Sequence, residues 1–236
     1  MLGTLVINEI SSDNYNIYLT DAGIYGMAGR DIEKVKVAGR NGELLLDNHR
    51  YNNVKLSYPA IIRDNFLKHY QDFMDFILSN KGYMRIEDSF NPDIFMLGIY
   101  TGEADAKKVE RYGKDGVFNI TFDRKPEKYL KSGEFPIEIT SNTSIFNQYR
   151  TEALPLVRVY GTGALTIGDI TITINSVNDY VDIDCETQDA YKGTTNCNGN
   201  ITLNNGEFFR LKSGENAITK ANTITKIVVT PRWWTL

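Results

Sequence analysis

FDRKPEKYLKSGEFPIEITSNTSIFNQYRTEALPLVRVYG (residues 122–161) is the stretch that divides this protein. It starts as the end of one strand and finishes inside another. Between them lie Pro126, Gly133, Pro136, Pro155 and a run of Ser, Thr and Asn, the residue types that interrupt regular structure. The only convincing helix pattern lies before it, and only short strand patterns follow it. The division predicts an N-terminal module over 1–130, a joint over 131–153 and a C-terminal β module over 154–236. FDRKPEKYL then closes the first module. Within the joint, EFPIEIT reads as a strand that either module could hold.

Working outward, the composition supports β structure. The protein has 236 residues with 14 Tyr and 11 Phe, and aromatic side chains suit half-buried pleated strands. Hydrophobic residues make up 42% and charged residues 24%, as in an ordinary soluble fold. The net charge is -4 and the pI about 5.3, which argues against a broad phosphate-binding surface. MLGTLVINEI has no Lys or Arg ahead of an apolar core, so no signal peptide is expected. The longest apolar run, 94–100, has only the length of a strand, and no membrane insertion is expected. Cys185 and Cys197 are expected as free thiols, with Cys185 serving as a small buried apolar residue.

In the first module, strands are expected at 3–10 and 14–20, a glycine-rich loop at 21–31 and a strand at 32–37. Gly39-Arg40-Asn41-Gly42 follows, and Asn-Gly predicts a tight hairpin turn leading into the return strand GELLLD. VKLSYPAII alternates with period two, placing Val54, Leu56, Tyr58 and Ala60 on one face. Residues 64–80 have helical spacing, with an apolar stripe of Phe66, Leu67, Tyr70, Phe73, Met74, Ile77 and Leu78. Asp64 or Asn65 can cap its start, and Gly82 lies just past its end. Phe76 falls among the polar residues, either as a second packing contact within the module or as a subunit contact. A further hairpin is expected with Asp115-Gly116 at its turn.

The second module reads as short strands: LVRVY, ALTI, ITITI, YVDIDCE, NITL, EFFRL and NTITKIVVTPRWW. Frequent Gly-containing turns between them predict an antiparallel sandwich or jelly roll. Trp233 and Trp234 are adjacent and would face opposite ways on a strand, so one can be core while the other needs another surface.

Signals of catalytic chemistry are missing from the sequence. There is no dinucleotide or phosphate-binding glycine motif and no Gly-x-Ser-x-Gly elbow. The two histidines, His49 and His69, have no neighbours suggesting a nucleophile or a metal site. In DYVDIDCETQD, Asp182 and Asp184 share a strand face. That face reads either as an acid–base pair for glycoside cleavage, as help for calcium binding, or, as favoured here, as a solvated strand face. No catalytic, metal or cofactor residue is expected.

Five blocks occur in a recognisable order: GRNGELLLDNHRYNNV (39–54), FDRKPEKYL (122–130), LPLVRVYGTGALTI (154–167), YVDIDCETQDAYK (180–192) and TKIVVTPRWW (225–234). With them the protein resembles, over nearly its whole length, the distal tail (Dit) proteins of siphophages, especially those infecting Gram-positive hosts. The resemblance implies a mainly β protein with one α-helix. Its N-terminal β domain, split-barrel or sandwich-like, would carry helix 64–80 and a hairpin arm, and its C-terminal β-sandwich would be galectin-like. It further implies a homohexameric ring at the virion tail tip, assembled in the host cytoplasm. The ring's partners would be further copies of itself, the tail-tube protein, a tail-tip or tail-associated protein and, in some phages, a receptor-binding protein. DNA would meet it only in transit through the channel, and no cofactor is implied. Arg40, Asn41, Gly42, Glu43, Phe76, Trp233 and Trp234 are the candidate assembly contacts. Asn41 stands where Asp is expected. A galectin sugar site does not carry over, because the second half has no histidine and its only tryptophans are terminal. The alternative is a carbohydrate-binding module for host attachment, suggested by the sandwich and its tyrosines.

Overall fold

The computed structural model describes residues 2–108 and 115–236. The protein divides into two units, residues 1–128 with Leu236, and residues 129–235.

In the first unit the strands are β1 (Leu5–Ile7), β2 (Ile10–Ser11), β3 (Ile17–Leu19), β4 (Ile24–Tyr25), β5 (Arg30–Lys36), β6 (Glu43–Tyr51) and β7 (Val54–Ile62). Helix α1 (Phe66–Ser79) follows, then β8 (Met84–Asp88), β9 (Ile94–Lys108) and β10 (Gly116–Leu130), whose last two residues belong to the second unit. One sheet has the order β2-β1-β8-β9-β10-β7-β3, with β4 also on β7. Alternation decides its buried face. Leu56, Tyr58 and Ala60 of β7 lie opposite Phe122, Ile120 and Phe118 of β10, and all six are buried. Pro59 has no N–H for the ladder. It falls between the stretches of β7 paired with β3 (60–62) and with β4 (56–57), and its carbonyl accepts from the Thr20 N–H at 3.0 Å although it has no N–H to return.

Helix α1 covers this face. Tyr70 and Phe73 meet Phe118 edge-on at 5.7 and 6.3 Å between ring centroids. Its seam runs Phe66, Tyr70, Phe73, Ile77, and the expected apolar stripe needs correction on one side. Leu67 and Leu78 are exposed, whereas Phe76 on the opposite flank is half-buried and stacks on Tyr15 at 5.9 Å. The helix is turned about its axis towards Tyr15. Asn65 occupies the N-cap position in left-handed backbone, and its side chain makes no capping bond. The expected loop at 21–31 contains β4 and the start of β5. Asp115-Gly116, where the hairpin is expected to turn, are described, whereas residues 109–114 just before them are not. Gly116 itself opens β10, where a Cβ would come within 2.1 Å of the Phe66 ring.

The second unit contains β11 (Ile137–Ile139), β12 (Thr143–Asn147), β13 (Leu156–Gly161), β14 (Gly163–Ile167), β15 (Ile170–Ile174), β16 (Val181–Asp184) and β17 (Asp189–Lys192). They are followed by β18 (Thr195–Asn196), β19 (Ile201–Leu203), β20 (Gly214–Lys220), β21 (Ile224–Thr230) and β22 (Trp234–Thr235). Two antiparallel sheets, β11-β21-β13-β16-β17-β18 and β12-β20-β14-β15-β19, supply one core. Val157, Val159, Val181, Ile183 and Ile227 come from the first sheet, and Leu165, Ile167, Ile172 and Ile218 from the second.

Residues 131–153 are therefore not a linker. EFPIEIT contributes β11, paired with β21, and the following Ser/Thr/Asn stretch contributes β12, paired with β20. They supply the first strand of each sheet, and the unit begins at Tyr129. EFFRL is also corrected. It forms no strand, only a single bridge between Leu211 and Ala153, yet Phe209 and Leu211 are buried in the core.

Candidate assembly surface

β5 and β6 form a sheet of their own. Their register pairs Ile32 with Asp47, Lys34 with Leu45 and Lys36 with Glu43 on one face, and Glu33 with Leu46 and Val35 with Leu44 on the other. Because side groups alternate across a ribbon, the three consecutive leucines are split. Leu44 and Leu46 make an apolar face with Val35, while Leu45 stands among Lys34, Lys36, Glu43 and Asp47. All three leucines are open to solvent, at 40%, 59% and 46% of their full exposure for Leu44, Leu45 and Leu46. An isolated two-stranded ribbon is marginal in water. One with apolar residues on both faces that join neither core cluster among the described residues has the character of a contact surface.

The base of the ribbon is held by charge. Arg30 pairs with Asp47 at 2.8 Å and lies over the Tyr51 ring, and Arg50 pairs with Asp31 at 2.6 Å. The Asp47 carboxyl is held below its usual range by the His49 N–H, which donates to it at 2.8 Å, and by Arg30. His49 takes left-handed backbone, and the register shifts between Arg30 and Ile32, an irregularity that twists the ribbon at its root.

The tip differs from expectation. A two-residue turn at Asn41-Gly42 would pair Arg40 with Glu43, but the last pair is Lys36 with Glu43. The backbone reverses over 37–42. The Arg40 N–H donates to the Val37 carbonyl at 3.3 Å, with Gly39 at φ 77° in the position that requires positive φ, and Gly42 at φ 82° re-enters the strand. Arg40, Asn41, Gly42 and Glu43 are all exposed there.

The other three candidates are used within their own units. Phe76 packs on Tyr15 and Phe73. Trp233 is buried in the sandwich core beside Tyr149, and the Trp234 indole N–H donates to the Glu152 carbonyl at 2.9 Å. Sequence reasoning passed over Leu44, Leu45 and Leu46. Their signal was present, since three adjacent large apolar residues on a strand cannot all point to one side.

The acidic segment is also corrected. Asp182 and Asp184 are buried, not a solvated face. Arg158, directly across from Asp182 on β13, donates to both of its carboxylate oxygens at 2.7 and 2.9 Å. Arg232 does the same for Asp184 at 2.6 and 2.8 Å. Burial pushes the Asp184 carboxyl up, but Arg232 and the Thr187 and Glu186 N–H groups outweigh it and hold the group below its usual range. Each carboxylate is clamped by its own guanidinium, so the pair has the geometry of a structural network rather than of a free acid and base.

No family model and no curated protein matches the sequence. Among solved structures, the protein is similar to SPP1 Dit (gp 19.1), described as a paradigm of the hub adsorption apparatus in phages infecting Gram-positive hosts. The TM-score is 0.73 at 15% identity, covering 100% of each of the two proteins. The protein thus has a Dit-like fold.

Proposed function

We propose that this protein is a structural distal tail protein of a siphophage, whose copies assemble into a six-membered ring at the end of the tail tube. The observation that carries this reading is the likeness to SPP1 Dit over the full length of both proteins. The uncovered β5–β6 ribbon supports self-assembly, because Leu44 and Leu46 gain cover only against another surface. A mildly acidic protein is compatible with a channel through which DNA passes without adhering. On this reading the protein joins the tube to tail-tip or baseplate proteins and sits in the virion tail tip after assembly in the host cytoplasm. Its partners are copies of itself, the tail-tube protein, the tail-associated protein and, where a phage mounts one there, a receptor-binding protein. No catalytic role is assigned to it.

The test is native mass measurement and negative-stain imaging of the purified protein, alone and mixed with the tail-tube protein of the same phage. Six-fold rings in either sample are expected. A protein that stays monomeric in both would sink the proposal.

A further inference from the structure

The sequence contains three Asn-Gly pairs, at 41–42, 198–199 and 205–206. In such a pair the glycine backbone nitrogen can attack the carbonyl carbon of the asparagine amide, because glycine has no Cβ to obstruct the approach. A C–N bond forms and closes a five-membered succinimide. The Cγ–Nδ2 bond of the asparagine breaks, and ammonia leaves with the proton lost by the glycine nitrogen. Water then adds to either ring carbonyl, giving aspartate or its β-linked isomer. Water is the only co-reactant, and no oxidant or reductant is needed.

The structure treats the three pairs unequally. The Asn198 Oδ1 accepts from the Ala190 N–H at 2.6 Å and its Nδ2 donates to Asp189 at 2.9 Å, which fixes the carbonyl that would be attacked. The Asn205 Nδ2 donates to the Asp169 carbonyl at 3.2 Å, and the attacking N–H of Gly206 is itself bonded to the Leu203 carbonyl at 3.1 Å. Asn41 and Gly42 sit in the exposed tip loop. Among the described residues neither the Asn41 amide nor the Gly42 N–H has a hydrogen-bond partner.

We infer that Asn41-Gly42 is a site of spontaneous modification, and that the fold itself protects the other two pairs. The product carries an added carboxylate next to Glu43. Its β-linked form adds a backbone atom to the loop that leads into β6. The inference needs a free ribbon tip, so it concerns the protein before assembly covers that tip, and it is tested on the monomeric fraction.

The test is incubation of the purified full-length protein at mildly alkaline pH, in native buffer and in urea. Proteolysis and fragmentation mass spectrometry that separates aspartate from its β-linked isomer then quantify all three sites. In native buffer Asn41 should convert at least about tenfold faster than Asn198 or Asn205, because hydrogen bonds hold the reacting groups of those two pairs. In urea the three rates should converge, and Asn41→Gln should abolish the fast product. Native rates that are equal, or an Asn41 slower than either of the others, would overturn the inference.

Discussion

Asp184 is buried and yet ionised, and the cost of that combination is met by Arg232. Removing one partner of such a pair strands a charge in the interior, so Arg232→Ala should destabilise the second unit by about 3 kcal/mol. Both tryptophans lie in this unit, so their fluorescence during urea unfolding reports on it directly. The pH dependence follows from the direction of the shift. Because the folded carboxyl lies below its unfolded value, the pair stabilises fully above about pH 4 and less as pH falls through the folded value. The gap between wild type and Arg232→Ala should therefore be constant near neutral pH and close only in acid. Gly133 is a second residue whose role is steric. A Cβ there would lie 2.2 Å from the backbone nitrogen of Trp233, and backbone cannot yield as a flexible side group does. Gly133→Ala should cost about 1–3 kcal/mol, measurable by the same unfolding curve. In sequence Gly133 read as a break in regular structure. The close approach that requires it appears only when the distant C-terminal segment packs against it.

The β5–β6 ribbon and helix α1 show at the level of elements what periodicity can and cannot say. Both were legible, the helix within two residues at each end. Which helix flank is covered was not. Leu67 and Leu78 lie on one side of the Phe66–Ile77 seam and Phe76 on the other, and the choice was made by Tyr15 from a distant turn. For the ribbon, register separates the leucines into two faces, and this yields a test. Leu44→Asp combined with Leu46→Asp should shift the protein towards monomer in sedimentation velocity. Stability of the isolated monomer should change by less than about 0.5 kcal/mol, because these positions are exposed. Leu45→Asp, on the charged face, should have the smaller effect on association. Equal loss from both would show that the ribbon is gripped from two sides.

At the scale of the whole molecule, the boundary at Lys128–Tyr129 replaces the broad joint read from 131–153. This makes a direct prediction. A fragment of 129–236 should unfold cooperatively as a sandwich, whereas 154–236 should be unfolded or aggregate. The shorter piece lacks β11 and β12, loses Ile139 and Ile145 from the core and leaves β20 and β21 with new open edges. Circular dichroism and tryptophan emission of the two fragments would decide it. A well-folded 154–236 would refute the assignment of these strands to the core.

Much was determined by the sequence itself. Period-two alternation in β7 and the 3.6-residue stripe of α1 are properties of consecutive residues, and they specify element type before any partner is present. The aromatic-rich composition and the glycine-marked turns specify a β class in the same local way. Tertiary structure decided the rest. Strands of three residues such as β11 are too short to carry a period, and they exist because β21 offers them a ladder. Asp182 and Asp184 look solvated along the sequence and become buried because β13 and the C-terminal segment bring Arg158 and Arg232 onto them. The three leucines read as an ordinary strand, and only the fold leaves them open to solvent. In each case the deciding interaction joins residues far apart in sequence, and only closure of the intervening loops fixes which ones meet.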